Sequence, residues 1–239
     1  MSNLRNRTAI VSALGVIIAV SLGAQVPRDM VPYLTPDRAA EIALARTAAP
    51  RHVSDAATIL VLTRNRFVDA VRGTNGFTCV VLRSFSGPID NPEYWNPRIR
   101  APQCFNPPAS RTVLPQILKE AELVLNGANP RDVVAQSQRD YASHLVPQPA
   151  VGAMAYMLSK QQYLQDVNPH AGPHLMFYYD RAMHPALWGA DPATSIVIAD
   201  ADPHARILTL FIPVRSWSDG TPALNSASSR VARSSAPAQ

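Results

Sequence analysis

The alternation of apolar and polar positions divides the chain into stretches of different period. Residues 57–63 form a continuous apolar run, 66–72 alternate, and 77–83 are rich in aromatic and β-branched side chains, which predicts three strands. Arg64-Asn65-Arg66 and Gly73-Thr74-Asn75-Gly76 interrupt these runs. The second interruption carries Asn-Gly chemistry suited to positive φ, so an antiparallel meander is expected. Phe77, Cys79 and Val81 share one face of its third strand, which makes Cys79 a core residue. Four later segments, 152–159, 174–179, 195–199 and 206–214, predict further strands, with loops at 180–194 and 200–205. Met154, Tyr156 and Leu158 fall on one side of the first of these.

Helical periods separate the two groups of strands. Thr35-Pro36-Asp37 supplies a cap, a proline at the first helical position and an acid in the first turn. Ala39, Ile42, Ala43 and Arg46 follow at helical spacing and Pro50 stops the run, predicting a helix over 36–48. Leu114, Ile117, Leu118, Ala121, Val124 and Leu125 make a second stripe, closed by Gly127. Asn129-Pro130 restarts a helix that runs to about Ser143 and buries Val133, Val134 and Tyr141. The expected fold class is therefore α+β: an antiparallel sheet of about seven strands with an α-helical hairpin packed on one face.

Between Ser84 and Ser110 the pattern changes. Pro88, Pro92, Pro97, Pro102, Pro107 and Pro108 remove donors and fix φ, so regular elements are not expected there. Phe85, Tyr94, Trp95 and Phe105 argue against simple disorder. An ordered long loop follows, serving either as a binding wall or as cover for a sheet edge.

At the N-terminus, Arg5 and Arg7 precede an apolar run over 8–22 and the small residues Ser21, Gly23 and Ala24. This is the layout of a secretory signal peptide over 1–24, with an uncleaved membrane anchor as the alternative. No cysteine near the cleavage point supports a lipoprotein anchor. The expected organisation is a signal peptide at 1–24, one α+β domain at 25–221 and a disordered tail at 222–239 rich in Ser, Ala and Pro. With 47% hydrophobic residues the chain can bury a real core, which excludes disorder throughout. Removing Arg5 and Arg7 lowers the net charge from +5 to +3, and setting aside Arg230 and Arg233 leaves +1 on the body. Nucleic-acid binding is not expected, nor membrane contact after cleavage.

The sequence lacks a G-x-S-x-G elbow, S-x-x-K, a Walker loop, G-x-G-x-x-G and H-E-x-x-H. Asp200-Ala201-Asp202 opens like a calcium loop, yet Phe211 stands where the bidentate Glu belongs. His170 and His174 are the candidate metal ligands, for a divalent metal. Gly172 and Pro173 forbid a helix between them, and Glu93, His184 or an aspartate would have to complete the site. The competing reading has these histidines only hydrogen-bonding at the start of a strand. Met154, Met157 and Met176 read as core filler. Cys79 and Cys104 can form a disulfide, remain two buried thiols, or supply a nucleophile with His174 as its base.

Gly73-Thr74-Asn75-Gly76-Phe77 with Cys79, Trp95-Asn96-Pro97, Cys104-Phe105-Asn106, Gly152-Ala153-Met154 with Tyr156-Met157, Ser159-Lys160-Gln161, Pro173-His174-Leu175-Met176-Phe177 and Trp217-Ser218-Asp219-Gly220-Thr221 form a set of motifs spread from about Ala39 to Thr221. In these the chain resembles an uncharacterised family of exported bacterial proteins with no established activity. The resemblance implies a denser histidine cluster before Leu-Met-Phe, with His in place of Gly172, and a third cysteine in place of Ala155. Those two departures count against a three-histidine metal site and against chemistry that needs a third thiol.

The function expected is an exported, periplasmic or secreted, non-catalytic module that binds a small ligand or a protein partner. The 85–106 loop would wall the site, with Tyr94, Trp95 and His174 near its mouth. The alternative is an enzyme, either a metal-dependent hydrolase using His170 and His174 or a thiol enzyme using Cys79 or Cys104 with His174.

Overall fold

The structure is a computed structural model that describes residues 29–167, 171–190, 197–199, 204 and 206–223. The expected leader, nearly all of the expected tail, His170 and Asp200-Ala201-Asp202 lie outside the described residues.

Eight strands form one sheet: β1 Thr58–Leu62, β2 Phe67–Val71, β3 Thr78–Leu82, β4 Ala101–Phe105, β5 Met154–Met157, β6 His174–Asp180, β7 Ile198–Ala199 and β8 Ile207–Pro213. Their order is β2-β1-β3-β4-β5-β6-β8-β7. Every neighbouring pair is antiparallel except β1 with β3, so the sheet is mixed and differs from the purely antiparallel one expected.

The parallel pair arises where a meander was expected. Strand β2 returns beside β1, and the six residues 72–77 then carry the chain past the start of β1 to its other side. The passage is backbone against backbone. A Cβ on Gly73 would sit 2.2 Å from Thr58 N, so only glycine fits at the crossing. Thr74 N donates to Ala56 O at 2.8 Å and Thr58 N to Phe77 O at 2.9 Å, which fixes the connection on both sides of β1. The expected turn chemistry is present, with Gly76 at φ 77°, but the turn encloses another strand.

Strand β4 is the second departure, since it lies within the proline-rich segment. Pro102 pairs opposite Val81 of β3, while β5 covers only Cys104 and Phe105. On the β5 flank the missing N–H of Pro102 therefore removes no ladder bond, and proline is tolerated.

Helices lie against both faces of the sheet centre. On one face, Ala45, Ala48, Ala49 and Val53 from α1 (Arg38–Arg46), α2 (Arg51–Ser54) and their connection cluster with Ile59, Cys79, Val81 and Cys104. The cap of α1 is Asp37, whose carboxylate accepts from Ala39 N at 2.8 Å, two residues later than the Thr35 cap expected. On the other face lie α3 (Pro107–Thr112), α4 (Leu114–Leu125) and α5 (Pro130–Ala142). They bring Ala109, Leu114, Ala121, Val124, Val133 and Tyr141 into the cluster that holds Leu60, Val80, Leu82 and Phe105. Burial on both faces explains why β1 and β3 are apolar without alternation. Met157 and Met176 are buried in that larger cluster. Among the described residues no helix is long and apolar enough to cross a membrane.

Candidate functional site

Where β3 ends, Arg83 is followed by a single 3₁₀ turn over Ser84–Ser86, and the chain leaves the sheet until it returns at β4. This excursion and the two strand ends enclose a cavity of about 150 Å³. Its polar lining comes from Ser84, Ser86, Asn91, Glu93 and Gln103. Leu82, Ile99, Ala101 and Leu164 supply apolar walls. Ser84 is 8% exposed, and its buried hydroxyl and that of Ser86 hydrogen-bond to no described protein group. Both hydroxyls lie buried behind the cavity wall, where a polar group without a partner is costly.

The cavity rests on a buried ion pair. The Arg83 guanidinium donates to Glu41 Oε1 at 2.9 Å, and both side chains are nearly inaccessible, at 0% and 2% exposure. Arg83 Nε also donates to Tyr33 O at 2.8 Å, Nη1 to Val81 O, and Nη2 to Thr35 Oγ1 at 3.4 Å. Glu41 Oε1 accepts from Leu62 N at 3.1 Å. Desolvation, with Arg100 adding repulsion, lowers the Arg83 guanidinium to about 10 despite the attraction of Glu41. The pair pins α1 to the ends of β1 and β3, and the bonds of Arg83 to Tyr33 O and Thr35 hold the segment before α1 there as well.

The rim is a polar network. Asp166 accepts from the Tyr163 hydroxyl at 2.8 Å, from Asn96 Nδ2 at 2.7 Å and from Arg98. Those bonds, Tyr163 first and then Asn96, hold the Asp166 carboxyl below its usual range. Glu93 Oε1 accepts from Asp166 N at 3.2 Å and Oε2 from Asn96 Nδ2. The loop at 93–98 is thereby joined to the segment at 163–166 that brings Leu164 to the cavity.

The residues expected near the mouth lie elsewhere. Tyr94 is buried, stacks edge-on against Trp95 at 4.8 Å, and lines a separate cavity of about 20 Å³ with Phe85, Ile117 and Glu120. Burial, helped by Glu120, pushes its hydroxyl well above the usual range. Trp95 is half-buried against the core, and its carbonyl accepts from the Tyr33 hydroxyl at 2.7 Å. His174 is 9% exposed beside Phe211, with Nδ1 2.9 Å from Gly172 O and Nε2 buried without a partner among the described residues. Burial pushes its pKa below the usual value and the Gly172 bond offsets this only in part. None of these three lines the 150 Å³ cavity.

Cys79 and Cys104 face one another across β3 and β4 and form a disulfide, both at 0% exposure. In this state neither sulfur is a thiolate nucleophile. Of the other candidate metal ligands, Glu93 belongs to the rim network, and His184 caps the 3₁₀ turn Pro185–Trp188 by accepting from Ala186 N. Among the described residues no group of three or more His, Cys, Asp or Glu is placed to hold a metal. Sequence reasoning did not single out Ser84, Ser86 or Gln103. The signal within reach was Gln103 itself, a polar residue inside an apolar strand.

Fold and site together define an α+β domain with a mixed eight-stranded sheet and a small cavity walled by a proline-rich excursion. Comparison with protein-family models, with curated proteins and with solved structures finds no match to this chain.

Proposed function

We propose that this chain is an exported, non-catalytic module that binds a small ligand in the cavity between the 84–100 excursion and the ends of β3 and β4. The observation that carries the reading is a cavity whose wall sets the polar side chains Asn91, Glu93 and Gln103 beside apolar Leu82, Ile99 and Leu164. Its volume suits a ligand of roughly ring size, or the end of a larger one. The polar groups on the lining include the Asn91 and Gln103 amides and the Glu93 carboxylate, a composition that supports recognition. A buried disulfide supports an oxidising compartment, in line with the leader read at 1–24.

The test is a thermal-shift screen of a small-molecule library against the wild type and Ala101→Leu, which extends an apolar side chain from the cavity wall. Ligands of the cavity raise the wild-type midpoint, since saturation at a hundred times Kd adds about 2.7 kcal/mol, and leave the variant unmoved. Hits that stabilise both proteins equally, or no hits with a folded variant, would overturn the proposal.

A further inference from the structure

Resting on the binding reading above, we infer that the cavity takes a small protonated amine, an ammonium head on a short apolar stem. Among the described residues, Arg83 and Glu93 are the charged residues on its lining, and they differ in what they leave to a ligand. The Arg83 side chain is at 0% exposure, and its guanidinium donates to Glu41, Tyr33 O, Val81 O and Thr35. Its charge is matched and its side chain is closed to a ligand. Glu93 is half-buried and accepts from neutral donors, Asp166 N at one oxygen and Asn96 Nδ2 at the other. Neither bond cancels its charge. The neighbouring Arg98 guanidinium bonds Asp166, and Arg100 donates to Pro97 O and Ile99 O without lining the cavity.

An ammonium head brings three N–H donors and needs an acceptor for each. The lining can supply them. Each Glu93 oxygen keeps a lone pair beyond the bond already made. The Gln103 carboxamide enters no hydrogen bond among the described residues, and Asn91 Oδ1 holds one, from Glu93 N at 2.8 Å. Leu82, Ile99, Ala101 and Leu164 give the stem an apolar wall. A carboxylate entering this space would meet the Glu93 charge and lose hydration with no accessible cation on the lining to replace it. A neutral alcohol would forgo the charge-assisted bond, which is about twice as strong as a neutral one.

The experiment uses the mature protein with its disulfide intact and follows the backbone amides of Asn91 and Glu93 and the side-chain amide of Gln103 by NMR. Butylammonium, butan-1-ol and butanoate are titrated in separate arms at one fixed ionic strength, so that screening is the same in each. Butylammonium is expected to shift these resonances at least about ten times more tightly than butan-1-ol, with butanoate weakest. Glu93→Gln is expected to weaken butylammonium about tenfold and leave butan-1-ol within about twofold, a split that mere loosening of the rim would not produce. Should Glu93→Gln not fold, the wild-type ranking decides. Butan-1-ol or butanoate binding as tightly as butylammonium overturns the ligand class and leaves the cavity reading standing. So does an equal loss of both butylammonium and butan-1-ol in Glu93→Gln. If no probe moves these resonances, both readings fall.

Discussion

Removing one member of the Glu41–Arg83 pair is the sharpest test of how the site is held. In Glu41→Ala the Arg83 guanidinium stays at 0% exposure with no counter-charge, and the backbone N–H of Leu62 loses its acceptor. Breaking a buried pair from one side costs about 3–5 kcal/mol, and an orphaned buried N–H adds to it, so a loss of at least about 4 kcal/mol is expected. With a urea slope near 2 kcal/mol/M, the unfolding midpoint falls by about 2 M. The direction of the Arg83 shift makes a second, independent demand. Because desolvation outweighs the attraction of Glu41, burying the charge costs more than the pairing returns. Replacing both residues by apolar ones, Glu41→Leu with Arg83→Met, is therefore expected to cost less than Glu41→Ala alone. The two carbonyls of Tyr33 and Val81 lose a donor in that double variant, which keeps it below the wild type. Urea unfolding of Glu41→Leu, Arg83→Met and the double variant completes a double-mutant cycle. A loss under 1 kcal/mol in Glu41→Ala, or strictly additive effects, would refute the reasoning.

Two further outcomes follow from the sheet. The disulfide closes a separation of 25 residues, for which the loop-entropy relation predicts a loss of about 3.5 kcal/mol in Cys79→Ala/Cys104→Ala. Urea unfolding measures it, and two titratable thiols in the unreduced, denatured wild type would show that the bond is absent. His174 provides the pH dependence. Its folded-state pKa is depressed, so its contribution to stability is present above the unfolded value near 6.5 and is lost as pH falls below it. Between pH 7 and 5 the wild-type midpoint is expected to drop more steeply than that of His174→Gln, by at most about 1.4 kcal/mol per pH unit, and parallel profiles would count against it.

The helices α1, α4 and α5 and most strands were legible because their signals are local, whereas the short α2 and α3, which start at or beside prolines, were not. Asn129 caps α5 by accepting from Arg131 N, and Gly127 ends the α4 region at φ 91°, both as spacing demands. The burial of His174 was missed, although strand alternation puts it on the same side of β6 as buried Met176 and Tyr178: the histidine was weighed as a site residue at the mouth of the loop. The insertion of β1 between β2 and β3 was not. Its determinant is a contact between Gly73 and Thr58, and a turn motif is silent about what passes through the turn. Strand β4 was hidden because proline was weighed by its missing donor alone, whereas the cost depends on which flank the neighbouring strand covers.

The proline-rich excursion shows why the wall was visible in the sequence while the site was not. Its backbone is organised by short-range turns: Asn91 N donates to Pro88 O at 3.1 Å, Tyr94 N to Asn91 O at 2.9 Å and Asn96 N to Glu93 O at 2.8 Å. Asn91 and Asn96 add side-chain bonds to the backbone N–H two residues on, Glu93 and Arg98. These devices can be read from Pro and Asn spacing, and they explain an ordered segment. The direction of each aromatic, however, is decided by what lies behind it. Tyr94 and Phe85 anchor the excursion by burying themselves in the core, which leaves Ser84, Ser86 and Asn91 to line the space in front. A wall held by buried rings and closed by the Asp166 network is already formed, so little ordering entropy would oppose the binding proposed above. The conspicuous aromatics thus build the wall, and the inconspicuous serines and amides line the cavity in front of it.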